Sequence, residues 1–199
     1  MKRRTLLQAG ALSTGAVVFM LGLGWWQSRH SDEAPSGTLP LPIDRMSFAL
    51  TDQHGDTVEA ADWLGQPTMV FFGFTWCPDI CPTTLSAISD WLEELGPDAD
   101  HLNTVLISVD PERDTPEVLG DYLSNFDDRI TGLTGTLPQI EQAAADFRAT
   151  FRKVQSEDNY TMDHTAGVFL FNADGRFANI IDHHEDPRYA VPKIRRVLE

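Results

Sequence analysis

The chain has 199 residues, 42% hydrophobic and 23% charged, with 11 Phe, 5 Trp and 3 Tyr; that is one globular domain plus a tail, and it excludes a disordered chain and two ordinary domains. Fifteen bases against thirty acids give a formal charge of −15, and because residues 1–30 hold four bases and no acid, the remainder carries −19. Such a surface repels phosphate backbones and argues against nucleic acid, while it suits solubility and a basic or metal-bearing partner.

Lys2, Arg3 and Arg4 precede an uncharged stretch, Ala9 to Trp26. As a helix those residues reach about 27 Å, enough for a bilayer core, with Trp25 and Trp26 placed for an interfacial belt. The positive end stays cytoplasmic, so the chain beyond Gln27 is exported. A cleaved signal peptide competes with an anchor, and Arg3-Arg4 loosely fits a twin-arginine signal, but bulky Trp25-Trp26-Gln27 make a poor cleavage site. We expect a membrane anchor over residues 1–27, a Pro-rich linker over 28–44 and a domain over 45–199.

Ser47–Thr51 and Asp56–Glu59 flank Asp-Gln-His-Gly and predict a hairpin. The apolar run Met69–Phe74 predicts a strand buried on both faces. A helix comes next, with Cys81 as N-cap, Pro82 at its first position, and Leu85, Ile88, Leu92 and Leu95 on one face up to Gly96-Pro97. Thr104–Val109 predicts a second buried strand. Thr115 caps a helix reaching about Asn125, and Ile130–Leu133 is a short strand. Leu137–Thr150 is amphipathic, with Ile140, Ala144 and Phe147 inward. Gly167–Phe171 and Arg176–Ile181 flank Asn172-Ala-Asp-Gly175 as a hairpin. Pro187–Leu198 closes as a helix. The alternation predicts an α/β domain, a mixed central sheet flanked by helices.

In such sheets functional groups gather at the carboxyl ends of strands, where Cys77 and Cys81 lie. With Cys81 at the cap, the helix N-terminus is expected to lower its pKa. One helical turn brings both sulfurs to one side; about 6 Å between Cα atoms permits a disulfide, and the pair equally can clamp one soft metal ion. His164, in a loop feeding the Gly167 strand, is the candidate third ligand. Two sulfurs and an imidazole suit Cu(I), whereas zinc prefers a fourth ligand. On spacing alone His164 also fits an ordinary half-buried histidine. His30, His54, His101, His183 and His184 have no partner motif, with His183-His184 read as a solvated pair over a metal site and Met162 as packing over a copper ligand. Asp110, Arg113 and Asp114 read as a loop pinned by charge-assisted hydrogen bonds, with docking or support of the site as the alternative. Asp79 and Asp163 are candidates for orienting His164.

Three motifs in order, Phe71–Leu85 around Cys-Pro-Asp-Ile-Cys-Pro, Ser108–Leu119 around Asp-Pro-Glu-Arg-Asp, and Tyr160–Thr165, together with the Asn172–Gly175 hairpin, resemble the Sco (SenC/PrrC) family over about residues 45–199. The resemblance implies a thioredoxin-like fold with an N-terminal β-hairpin extension and copper ligands Cys77, Cys81 and His164. It implies a copper chaperone assisting the copper A centre of cytochrome c oxidase, with oxidase subunit II, a periplasmic copper donor and a thiol reductant as partners. It places the domain on the periplasmic side of the inner membrane. Trp76 departs from the His, Tyr or Phe common before the first Cys, replacing a possible accessory ligand with apolar cover. The rival reading is a thiol–disulfide oxidoreductase in which Cys77 attacks and Cys81 resolves.

Overall fold

The computed structural model describes residues 39–155, 159–183 and 185–199. The anchor and most of the linker therefore lie outside the described residues, as do His30 and His184. Among the described residues no helix is long and apolar enough to cross a membrane.

Strand β1 (Ala49–Asp52) and β2 (Thr57–Glu59) form the expected hairpin. The Asp52 carboxylate accepts the His54 and Asp56 N–H groups at 2.9 Å, and Gly55 takes the left-handed φ of +91° that closes the turn. Strand β3 (Thr68–Gly73) is buried at all six positions. It pairs in parallel with β4 (Asn103–Ser108), which pairs in parallel with β5 (Ile130–Thr134). On its other side β3 runs antiparallel to β8 (Val168–Phe171), which pairs with β9 (Phe177–Ile181). The resulting order is β2-β1-β5-β4-β3-β8-β9, the mixed sheet expected.

The described residues form four α-helices: α1 (Ile80–Leu95), α2 (Pro116–Leu123), α3 (Leu137–Phe147) and α4 (Ala190–Leu198). Strand alternation separates the two sheet faces. Phe72 points to α3, where Phe147 meets it edge-on at 5.3 Å between ring centroids. Gly73 points the other way, to α1: a Cβ built there would lie 3.3 Å from the Cys81 sulfur and 2.9 Å from Phe71 Cε1. Helices thus cover both faces, and the hairpin β1–β2 extends a thioredoxin-like core.

Several boundaries differ from those predicted. The domain already holds the chain at Leu41, whose N–H donates to the Asp146 carbonyl at 2.9 Å, and at Ile43, whose N–H donates to the Gly175 carbonyl at 2.8 Å. Helix α3 stops at Phe147 because Arg148 takes a left-handed φ of 55°. The last helix starts at Ala190 after a 3-10 turn, Pro187–Tyr189. Two further strands, β6 (Phe151–Gln155) and β7 (Tyr160–His164), pair only with each other. They form a ribbon separate from the main sheet, in place of the expected loop.

Candidate metal centre

The thiol arm begins where β3 ends. Phe74 is buried, and the next residue, Thr75, is gripped by Asp114. The Thr75 hydroxyl donates to one Asp114 oxygen at 2.6 Å, and its N–H donates to the other at 3.1 Å. That second oxygen also accepts the Ser108 hydroxyl at 2.5 Å. Asp114 has no exposure at all. Burial raises its carboxyl above the ordinary range, even though these hydrogen bonds pull it down. The loop pinned by charge-assisted hydrogen bonds is therefore present, and its target is the residue two before Cys77.

The chain then turns, the Cys77 N–H donating to the Phe74 carbonyl at 3.3 Å, and enters α1. Here one expectation is overturned. Asp79, not Cys81, is the N-cap, and Cys81 lies inside the first turn. Pro82 remains compatible because the first turn needs no N–H from it. The Cys81 N–H donates to the Cys77 sulfur at 3.3 Å, so Cys77 is the acceptor at the helix mouth. Cys81 is wholly buried, and its pKa is raised rather than lowered, first by burial and then by its hydrogen bond with Cys77. Desolvation outweighs the helix terminus there. Both thiols are free, and Cys77 is the more exposed.

The imidazole arm is the end of β7, not a loop. Burial alternates along Tyr160-Thr-Met-Asp-His164, so Tyr160, Met162 and His164 share the inward face. The His164 ring stands edge-on to Phe71 and Phe74, at 6.1 and 5.8 Å between centroids. Its Nδ1 lies 3.0 Å from the Thr165 carbonyl. A carbonyl only accepts, so Nδ1 carries the proton. Burial lowers the His164 pKa from its usual value and favours the neutral ring. The unprotonated Nε2 then faces the Cys81 sulfur at 3.5 Å. Asp163 does not orient the ring; it is exposed and pairs with Arg152 at 2.6 Å. The Thr165 carbonyl fills that role.

Cys77, Ile80, Met162 and His164 line a cleft of about 350 Å³ that Asp79 and Pro78 also border. Trp76 is 61% exposed, so it gives the thiols little apolar cover. His54, His101 and His183 are exposed and line other cavities. Among the described residues, no three His, Cys, Asp or Glu side chains are gathered closely enough to hold a metal ion as they stand. The contact that is in place is Cys81 with His164, and Cys77 still faces the Cys81 N–H.

Fold and site together define a thioredoxin-like domain with a thiol pair just after its central strand and an imidazole beside the buried thiol. The chain belongs to the SCO1/SenC family, whose model matches residues 41–199. It is 37% identical to the SCO2-like protein of Rickettsia felis over 173 residues, covering 83% of this chain and 82% of that one. It is 36% identical to the mitochondrial protein SCO2 of Saccharomyces cerevisiae over 157 residues, covering 76% of this chain and about half, 52%, of the yeast protein. Among solved structures, copper-bound ScoI of Bradyrhizobium japonicum superposes with a TM-score of 0.71 and 44% identity, over 75% of this chain and 96% of that one.

Proposed function

We propose that this protein is a membrane-anchored copper chaperone that carries one copper ion on Cys77, Cys81 and His164. Its role is to assist assembly of the copper A centre of cytochrome c oxidase, with subunit II as recipient. The observation that carries this reading is the 3.5 Å approach of a neutral His164 Nε2 to the Cys81 sulfur. Two soft thiolates with one imidazole form a donor set suited to Cu(I), and the open cleft beside them lets a cargo ion enter and leave. Cys77 is the donor that turns in from the helix mouth. Copper bound to the Bradyrhizobium relative supports copper as the cargo. The basic and uncharged segments ahead of residue 28 support an inner-membrane anchor with the domain in the periplasm.

Oxidation to a Cys77–Cys81 disulfide removes both sulfur donors, so loading in an oxidising compartment needs a thiol reductant as well as a copper donor. The same pair supports a second reading, because Cys77 is partly exposed and Cys81 buried behind it. There the Cys77 thiolate attacks a substrate disulfide and releases one substrate thiolate. Cys81 then displaces the second, leaving a Cys77–Cys81 disulfide and a reduced substrate.

The test is a copper titration of the reduced full chain, wild type beside His164→Ala, read by elemental analysis and Cu(II)–thiolate absorption. One copper retained by the wild type and lost or weakened in the variant is expected. No retained copper in the wild type overturns the chaperone reading and leaves the oxidoreductase.

A further inference from the structure

We infer that Arg113 is a positioning residue for His164: it locks the β6–β7 ribbon onto the turn after β4 and thereby sets the distance from the imidazole to Cys81. The inference rests on the proposed role of His164 as a ligand, but its own evidence is separate.

The ribbon needs such a lock. It is not hydrogen-bonded into the main sheet, and of its ten strand residues Met162 alone is buried. Met162 borders the 350 Å³ cleft and also a second cavity of about 230 Å³. Phe151 and Tyr160 are only partly buried against the core, so the packing beneath the ribbon is thin, and the position of His164 depends on further contacts besides those of its ring with Phe71 and Phe74.

Arg113 supplies them. Its guanidinium carbon lies 3.8 Å from the centre of the Tyr160 ring, 5.3 Å from that of Trp76 and 6.0 Å from that of Phe74. Its Nε pairs with Asp110, a carboxylate only 1% exposed. Its Nη1 donates to the Tyr160 carbonyl at 3.1 Å. The Tyr160 hydroxyl donates to the other Asp110 oxygen at 2.9 Å, closing the ring of contacts. Lys153 of β6 adds its ammonium 4.1 Å from the Tyr160 ring centre and pairs with Glu112 at 2.6 Å. Only a planar, forked cation can stack on Tyr160 while bridging a carboxylate and a carbonyl.

Arg113 touches neither His164 nor the thiols. It acts through Tyr160, four residues before His164 on the same face of β7. Its neighbour Asp114 grips Thr75, two residues before Cys77. Adjacent residues of one turn thus hold the two arms of the site, and Arg113 holds the arm with the weaker packing.

The experiment compares the full chain as wild type, Arg113→Gln, Arg113→Lys and Tyr160→Phe. Cooperative unfolding and alkylation of Cys77 within about twofold of wild type establish that the fold and thiol arm survive. Copper retention by Arg113→Gln is expected to fall about tenfold or more, the size seen when support behind a ligand is removed. Nitrogen hyperfine coupling in the Cu(II) form should weaken with it. Arg113→Lys should not rescue, and Tyr160→Phe should fall between. Wild-type retention and nitrogen coupling in Arg113→Gln overturn the inference. Should the wild type hold no copper, NMR on the metal-free protein decides. Loss of the cross-peaks from the His164 ring to Phe71 and Phe74 in Arg113→Gln supports the lock; their survival overturns it. If Arg113→Gln does not fold, the same signals in Arg113→Lys and Tyr160→Phe give the answer.

Discussion

The two arms of the site are built to different standards. The thiol arm is the continuation of β3, a strand buried at every position, and it is capped by a helix that covers one face of the sheet. The imidazole arm is a two-stranded ribbon with one buried side chain, Met162, which borders two cavities. The thiols are thus held by the core, while the imidazole sits on a ribbon that an arginine, a tyrosine and a buried carboxylate tie to the turn after β4. Such an arrangement can keep the thiols in register while the placement of the imidazole is adjusted by residues that touch neither sulfur.

The comparison is tested most severely by truncation. Phe72→Ala is expected to cost about 4 kcal/mol, since Phe72 is fully buried against Phe147 and Phe169. Met162→Ala should cost about 2 kcal/mol, because the ribbon already borders open volume and little new cavity is created. Denaturant unfolding of both variants checks the ordering, and equal costs would erase the distinction between the arms. Gly73→Val is expected to match the smaller of these costs. The added Cβ alone meets Phe71, Leu106 and the Cys81 sulfur, so the expected cost is about 2 kcal/mol, with Cys81 displaced enough to speed its alkylation.

A smaller, kinetic signature lies in the thiols. At neutral pH iodoacetamide should modify Cys77 at least about tenfold faster than Cys81, since the latter is buried and its thiol is held protonated by desolvation. Peptide mass spectrometry separates the two sites, and equal rates would mean that the thiol arm opens readily. The subtlest effect is on pH dependence. The Asp114 carboxyl is raised by burial, so the folded chain keeps its proton to higher pH than the unfolded chain. Its contribution to stability is complete below about pH 4 and declines as pH rises through the folded pKa. The unfolding free energy of wild type relative to Asp114→Asn should therefore fall as pH is raised from 4, and parallel curves would contradict this.

The rigid arm is the legible one. An unbroken apolar run marks β3, and the spacing of Leu85, Ile88, Leu92 and Leu95 marks α1. The ribbon escapes a reading of the sequence, although Tyr160-Thr-Met-Asp-His164 alternates inward and outward as a strand should. The signal is short and polar, and the partner strand Phe-Arg-Lys-Val-Gln155 carries almost no apolar face. The expected lowering of the Cys81 pKa fails for a different reason. Local capping logic sees the dipole but not the weight of protein above it, and burial is a long-range property. Asp110, Arg113 and Asp114 are recognisable as a pinned loop, but Thr75 and Tyr160, the residues they hold, lie 39 and 47 positions from their partners. His164 stands out among six histidines because the motif around it matches a known family; spacing alone leaves it open.

The ties at Leu41 and Ile43 also give the domain a polarity. Gly175 lies just past Phe171, which is paired with Thr68 at the start of β3, whereas Cys77 comes after the finish of β3. Six strand residues, about 20 Å, therefore separate the end where the polypeptide enters from the end where the sulfurs sit. Force applied through the entering chain is borne by one rim of the sheet, and the cleft lies at the other.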